Sequence, residues 1–361
     1  ATEGIGCKKG KREQGRKLDF IDVRRAYFYA PTHRDLFIEL PAEDREGSSD
    51  QLGKLNLSLY GTRDAASNWQ ELLSAHLEKI GFTRGVGHPS VYHHLGRGLV
   101  TLVHGDDYTT AGDIKDLRWF KQRLEEAYEI KTQIIGPDGD KIGKVLNRVI
   151  TYTGFGFELE ADQRHSEMIV EQLGVTSSGG ITTAGCQNEE IEGPEQEELL
   201  PDGDVTLFRG AAARANYLGP DRPDMLYASK EVCREMSKPS IGGLEKMTRI
   251  GKFLAGRPRV IWEFPNQEPQ EVIDVYVDAN WADCRRTRKS TSGGCALLGK
   301  HCIKAWSKTQ ANIAKSSGES ELYGVIKGSS EALGLLTLAG DLGMELKTRV
   351  HVDATAAKGM V

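Results

Sequence analysis

Apolar positions along this chain switch repeatedly between a period of two and a period near 3.6, and that alternation predicts its elements. "FIDVRRAYFYA" (20–30) is rich in β-branched and aromatic residues and predicts a strand running into a turn. "SNWQELLSAHLEKIGF" (67–82) sets Trp69, Leu72, Leu73, Leu77 and Ile80 on one helical face. "GLVTLVHGDDYTTAG" (98–112) predicts two short strands around a tight Gly-Asp-Asp turn, and "IKDLRWFKQRLEEAYEI" (114–130) another amphipathic helix. Strands mixed with helices in this way indicate an α+β domain from Leu18 to about Tyr152. Residues 205–256 read as mainly helical. The final stretch then offers three strands ("EVIDVYVDANW", "GGCALLGK", "HCIKAWS"), a long helix (318–343) and a fourth strand, "TRVHVDATAA", entering a helix.

Length and charge refine this picture. At about 150 residues per domain, 361 residues suggest two or three domains. The formal charge of -5 argues against a bulk-basic nucleic-acid binder, but the charge is segregated. Residues 188–204 hold eight acids and neither Lys nor Arg, as a solvated linker would, so the remainder is net positive. Residues 1–17 read as a flexible basic arm. Their "GIGCKKGK" fails as a phosphate loop because Ile5 replaces the first glycine and Arg12 the Ser/Thr. No apolar run approaches the ~20 residues of a membrane span. The cysteines Cys7, Cys186, Cys233, Cys284, Cys295 and Cys302 form no CxxC pair, which points to a reducing compartment rather than a disulfide or zinc framework. The chain begins with Ala, and is read as a piece of a longer protein.

Two sets of carboxylates could carry chemistry. Asp22 ends a predicted strand, and Asp106-Asp107 sits at a hairpin tip. Phosphoryl transfer with two Mg²⁺ ions needs carboxylates that hold hard cations ~3.5–4 Å apart, a task suited to strand ends. On the triplet alone, Gly105-Asp106 reads as a simple turn dipeptide, and Tyr27 as a core aromatic. In the second set Asp278 ends one strand, Glu321 lies early on the long helix and Asp353 ends another strand. Arg285, Arg286, Arg288 and Lys289 form a basic cluster that either contacts phosphates or is a solvated turn.

"DVRRAYF" (22–28), "LYGTRDAASNW" (59–69), "GFTRGVGHPSVY" (81–92) and "HGDD" (104–107) follow, in order, the pattern of the reverse transcriptases of copia-type LTR retrotransposons. "VDANWADCRRTRKSTSGGCALLG" (277–299), "IKAWSKTQANIAKSSGESELYGV" (303–325) and "HVDATAA" (351–357) resemble the ribonuclease H domain of the same Pol polyproteins. "ANYLGPDRPDMLYASKEVCREMSKPS" (215–240) resembles their connection segment, with Arg222, Pro223 and Asp224 in a structural role that packs the two domains together. The resemblance implies a palm-type α+β polymerase domain with truncated fingers (18–153), a thumb-like segment and acidic linker (154–204), a helical connection (205–265) and a ribonuclease H-like mixed domain (266–361). It implies that Asp22, Asp106 and Asp107, and separately Asp278, Glu321 and Asp353, are catalytic residues holding two Mg²⁺ (or Mn²⁺) ions each. Tyr27 becomes the gate that would clash with a ribose 2′-hydroxyl. Arg63, Arg286 and Arg288 become substrate contacts. The implied partners are an RNA template, a DNA primer, an RNA–DNA hybrid and dNTPs, with no membrane.

The chain departs from that pattern in several places. His104 replaces an aromatic, Asp64-Ala65-Ala66 replaces Gln-Ala-Pro, and Asn280 stands where a second Asp is common. Asp64 would repel a triphosphate unless paired, with Arg63 the expected partner. Of Glu319 and Glu321, the second is the expected ligand. A fourth ribonuclease H carboxylate and the upstream fingers strands are not found in the sequence. Two rival readings stand beside this one: a decayed, inactive remnant that only binds nucleic acid, and an RNA-dependent RNA polymerase, which shares the GDD triplet.

Overall fold

The computed structural model describes residues 16–45, 51–176, 181–185, 198–284 and 286–360. Two compact units emerge, one of residues 1–145 with 337–345 and the other of 146–336 with 346–361.

In the first unit, the strands are β1 (Lys17–Val23), β2 (Phe37–Glu39), β3 (Leu52–Lys54), β4 (Thr83–Arg84), β5 (Val91–His94), β6 (Leu99–His104), β7 (Asp107–Gly112), β8 (Ile130–Ile135) and β9 (Ile142–Val145). The helices are α1 (Ala65–Lys79) and α2 (Ile114–Glu125). Six strands form an antiparallel sheet in the order β4-β5-β6-β7-β1-β8, and β2 pairs with β3. Trp69, Leu73 and Leu77 recur every four residues on α1; Leu117, Phe120 and Leu124 do so at helical spacing on α2. Both stripes bury against Ile21, Val23, Leu99 and Tyr108 of the sheet, giving one core. Lys17, expected in the flexible arm, instead opens β1, 2% exposed, with Nζ 2.9 Å from Asp138. Residues 1–15 of the expected arm lie outside the described residues.

The second unit opens with β10 (Arg148–Tyr152), β11 (Gly156–Ala161) and α3 (Arg164–Gln172), followed by α4 (Asp202–Leu218), α5 (Leu226–Cys233), α6 (Ile241–Gly256) and β12 (Ile261–Pro265). It continues through β13 (Val272–Asn280), β14 (Thr291–Leu298), β15 (His301–Thr309), α7 (Ser317–Asp341), β16 (Lys347–His351) and α8 (Thr355–Lys358). Strand β11 pairs antiparallel with both β10 and β12, so a segment expected to be thumb-like shares a sheet with the end of the helical stretch. The division between units falls at 145/146 rather than 153. Of the acidic tract, residues 188–197 are outside the described residues. Asp202 and Asp204 form the first turn of α4, where carboxylates favour the helix dipole.

Helices α3 to α6 bury Ile169, Phe208, Val232, Met247 and Phe253 in their own core. Arg222 is 2% exposed there. Its guanidinium forks onto Asp224 at 3.0 and 2.9 Å and donates to the carbonyls of Arg257 and Pro258 beyond α6. The expected structural role of this motif therefore falls within one unit. Asp224→Asn, which removes the countercharge, is expected to cost ~2 kcal/mol in urea unfolding at neutral pH, the scale of a hydrogen bond to a charged group.

Strands β13, β14 and β15 form an antiparallel meander, and α7 returns the chain so that β16 lies parallel to β13. Helix α7 approaches β13 closely because it presents glycine: a Cβ on Gly328 would lie 2.2 Å from Val277 Cγ1.

Candidate active sites

The first site grows from the β6–β7 hairpin. Asp22, near the end of β1, is the direct cross-strand neighbour of Asp107, and Val23 N donates to Asp106 O at 3.0 Å. Gly105 makes the turn at φ +65°, a left-handed conformation that favours glycine. Trp69 on α1 donates its indole N–H to Gly105 O at 2.9 Å and fixes the hairpin tip. Burial raises the Asp107 carboxyl above its ordinary value, and the charges of Asp106 and Asp22 add to this; His104, opposite Asp107 in register, offsets part of it. Mutual repulsion of this kind is what a divalent cation relieves.

Beyond β1 the backbone passes through Arg25 at φ 55° into a 3₁₀ turn, Ala26–Tyr29. This turn sets the Tyr27 ring 4.4 Å from that of Tyr60, with Phe28 edge-on to Tyr60 at 5.6 Å. Burial, and then the Asp106 charge, makes the Tyr60 hydroxyl harder to ionise. Sequence reasoning missed both Tyr60 as a neighbour of the carboxylates and Trp69 as the hairpin's anchor. The only signal was their presence in "LYGTRDAASNW". Asp64 is paired, but with Arg34, whose Nε and Nη2 lie 2.9 and 3.0 Å from its oxygens; that hydrogen bonding lowers its carboxyl below the usual range. The expected Arg63 partnership is thus corrected. Arg63 lies exposed just before α1.

In the second site β13, α7 and the exit of β16 bring Asp278, Glu321 and Asp353 together, with one ligand oxygen from each within 4.8 Å of the others. Among the described residues this is the one such group, and Asp22, Asp106 and Asp107 do not close to that distance. Glu321 Oε2 is buried without a hydrogen-bond partner. Burial, and then the Asp278 charge, raises the Glu321 carboxyl above its usual value. An orphaned buried oxygen beside two exposed carboxylates fits a hard divalent cation. Glu319 is engaged otherwise: its carboxylate accepts from Lys315 N at 2.7 Å and from the Tyr323 hydroxyl at 3.1 Å.

The loop after β13 carries exposed Arg286 and Arg288, the latter at φ 54°; Arg285 lies outside the described residues. Helix α5 secures this loop. Tyr227 donates to Asp283 Oδ2 at 2.7 Å, and Arg234 reaches Cys284 Sγ at 3.0 Å and Thr287 Oγ1 at 3.4 Å. Burial opposes ionisation of Cys284, yet hydrogen bonds from Thr287 and Arg234 outweigh it and hold the thiol below its ordinary value.

Residues 11–183 match the profile of a family described as "Reverse transcriptase (RNA-dependent DNA polymerase)". The chain is 26% identical over 333 residues to the retrovirus-related Pol polyprotein from transposon RE1 of Arabidopsis thaliana, covering 90% of this chain and 22% of that protein. It is 22% identical over 357 residues to the one from transposon TNT 1-94 of Nicotiana tabacum, covering 94% of this chain and 26% of that protein. It therefore spans about a quarter or less of the length of these relatives. A foamy viral protease–reverse transcriptase solved in complex with dsDNA shares the fold at TM-score 0.53 and 12% identity, covering 96% of this chain and 61% of that one.

Proposed function

From a chain that belongs with the copia-type retrotransposon Pol polyproteins and carries their reverse transcriptase tract, we propose an RNA-directed DNA polymerase that also cleaves the RNA strand of RNA–DNA hybrids. In this reading the first unit is a palm-type polymerase domain, and residues 266–361 are a ribonuclease H-like domain. The observation that carries it is the family match over the very strands that bring Asp22 beside Asp107.

Asp22, Asp106 and Asp107 would hold the polymerase cations, and Asp278, Glu321 and Asp353 those of the nuclease. Bound divalent cations supply charge neutralisation of the transferring phosphate and activation of the attacking oxygen. The protein's own contribution is placement. Trp69 holds the hairpin tip that carries Asp106 and Asp107 on the strand next to Asp22. Tyr27, whose ring packs against that of Tyr60, would be the residue that clashes with a ribose 2′-hydroxyl. Arg63, just before α1, would be a triphosphate contact, and Arg286 and Arg288 on their secured loop would contact hybrid phosphates.

Primer extension on an RNA template with Mg²⁺ tests the reading. Extension with dNTPs at least ~10-fold faster than with rNTPs is expected, and Tyr27→Ala should narrow that preference. Faster use of rNTPs would favour an RNA polymerase. Hybrid binding without turnover in either assay would favour the inactive remnant.

A further inference from the structure

A cavity of about 370 Å³ lies within the second unit, between α5, the end of α4 and β15. Leu226, then Ser229 and Lys230, then Arg234 follow at helical spacing along α5 and its end, and line one side of it. Asn216 of α4 and Ser307 of β15 add an amide and a hydroxyl. Two cations thus line the cavity, and no carboxylate does.

Both cations are held by groups outside the cavity wall. Lys230 Nζ lies 2.7 Å from Glu231 and donates to Thr291 Oγ1 at 2.8 Å. Arg234 donates through Nη1 to Glu231 at 3.2 Å, and through Nη2 to Cys284 and Thr287. Burial opposes ionisation of Glu231, but the hydrogen bonds and charges of Lys230 and Arg234 outweigh it and keep this group a carboxylate. Two cations against one anion leave the cluster net positive. Among the described residues, Arg234 Nε and the third Lys230 hydrogen have no acceptor.

Ser229 supplies a second, independent observation. It is 3% exposed, and its Oγ has no hydrogen-bond partner. A buried hydroxyl left unbonded is costly, and a helix offers serine the carbonyl one turn back as a ready acceptor. Ser229 does not take it.

We propose that this cavity binds a small phosphate monoester, its phosphate held by Lys230, Arg234 and the Ser229 hydroxyl, its organic group against Leu226 and Pro220. The three oxygens of such a group match a set of convergent charged and neutral donors. The volume falls in the ~300–1,000 Å³ range of small-ligand sites and exceeds what a bare phosphate fills. The site shares no residue with either carboxylate set, and it stands apart from the polymerase and nuclease readings. Lys230 and Arg234 also hold both ends of the loop between β13 and β14, at Thr291 and at Cys284 with Thr287. A bound phosphate competes for those donors and so slackens the loop that carries Arg286 and Arg288.

The test is calorimetric titration with AMP, inorganic phosphate and adenosine, in EDTA so that neither carboxylate set holds a cation. AMP should bind at least ~10-fold more tightly than adenosine, and inorganic phosphate should displace it. Ser229→Ala should hold or raise Tm, since its hydroxyl has no partner to lose, yet weaken AMP binding at least ~5-fold. Glu231→Gln, which removes the countercharge, should tighten it. Bound AMP should also slow alkylation of Cys284, read by peptide mass spectrometry, because Arg234 is drawn from the thiol. No AMP binding, equal binding of adenosine, or an affinity unchanged in both variants overturns the site. Unchanged Cys284 reactivity with AMP bound overturns the coupling to the loop. None of these outcomes bears on primer extension or hybrid cleavage.

Discussion

Asp106→Asn is expected to abolish primer extension while leaving hybrid cleavage within about twofold, and Asp278→Asn to do the reverse. Each loss should reach about 10³-fold or more. Removing a carboxylate from a two-cation site takes away several kcal/mol of charge stabilisation, and ~4 kcal/mol corresponds to that factor. The substitutions are close in shape, so the backbone bond from Val23 N to Asp106 O and the strand pairing of Asp278 should survive. Neither variant should lose stability. Asp106 is one of the charges that push the Asp107 carboxyl up, and Asp278 one of those that push up Glu321. Removing either relieves repulsion, so Tm should stay level or rise slightly. Extension that survives Asp106→Asn would remove the polymerase assignment, and cleavage that survives Asp278→Asn the nuclease assignment.

How far the sequence foretold this arrangement depends on how local each relationship is. Asp278, Glu321 and Asp353 were readable as a set because each sits at the predictable end of a strong strand or the start of a long helix. Glu321 was separable from Glu319 by resemblance, and the structure adds that Glu319 is occupied at the helix start by Lys315 N and Tyr323. The β6–β7 hairpin was readable because its turn chemistry is local. The strands β10, β11 and β12 were not foreseen: β11 pairs with a strand from far along the chain, and its partner leaves no mark in its own pattern. The partner of Asp64 was misplaced for the same reason. Arg63 is adjacent in sequence, but two fork hydrogen bonds come from Arg34, brought in by the fold. Tyr60 and Trp69 act through tertiary contacts that an aromatic in an apolar pattern does not disclose.

Asp19→Asn is expected to stabilise the first unit strongly above neutral pH and hardly at all in acid. Asp19 lies on β1 with no exposed surface, on the same face as Ile21 and Val23, and neither carboxylate oxygen has a hydrogen-bond partner. Burial is the main cause that pushes its carboxyl up to about 7; the nearby Lys121 charge and the polar backbone N–H of Gln133 only partly oppose it. Lys17, two residues back on the same strand, is committed to Asp138. The unfolded chain ionises this group near pH 3.9. Between these values the folded protein therefore holds a proton that the unfolded one has released, and stability falls as pH rises. The fall is complete once pH passes about 7, where the buried group is ionised in both states. A rise of roughly three units in the folded pKa corresponds to ~4 kcal/mol. Asparagine does not titrate, so the gain of Asp19→Asn over wild type should grow by that amount from pH ~4 to above 7, most of it between pH 5 and 7. Urea unfolding at a series of pH values reads this directly. A gain that stays constant across the series would mean that Asp19 does not titrate differently in the folded unit, and that its burial is relieved by a route other than protonation.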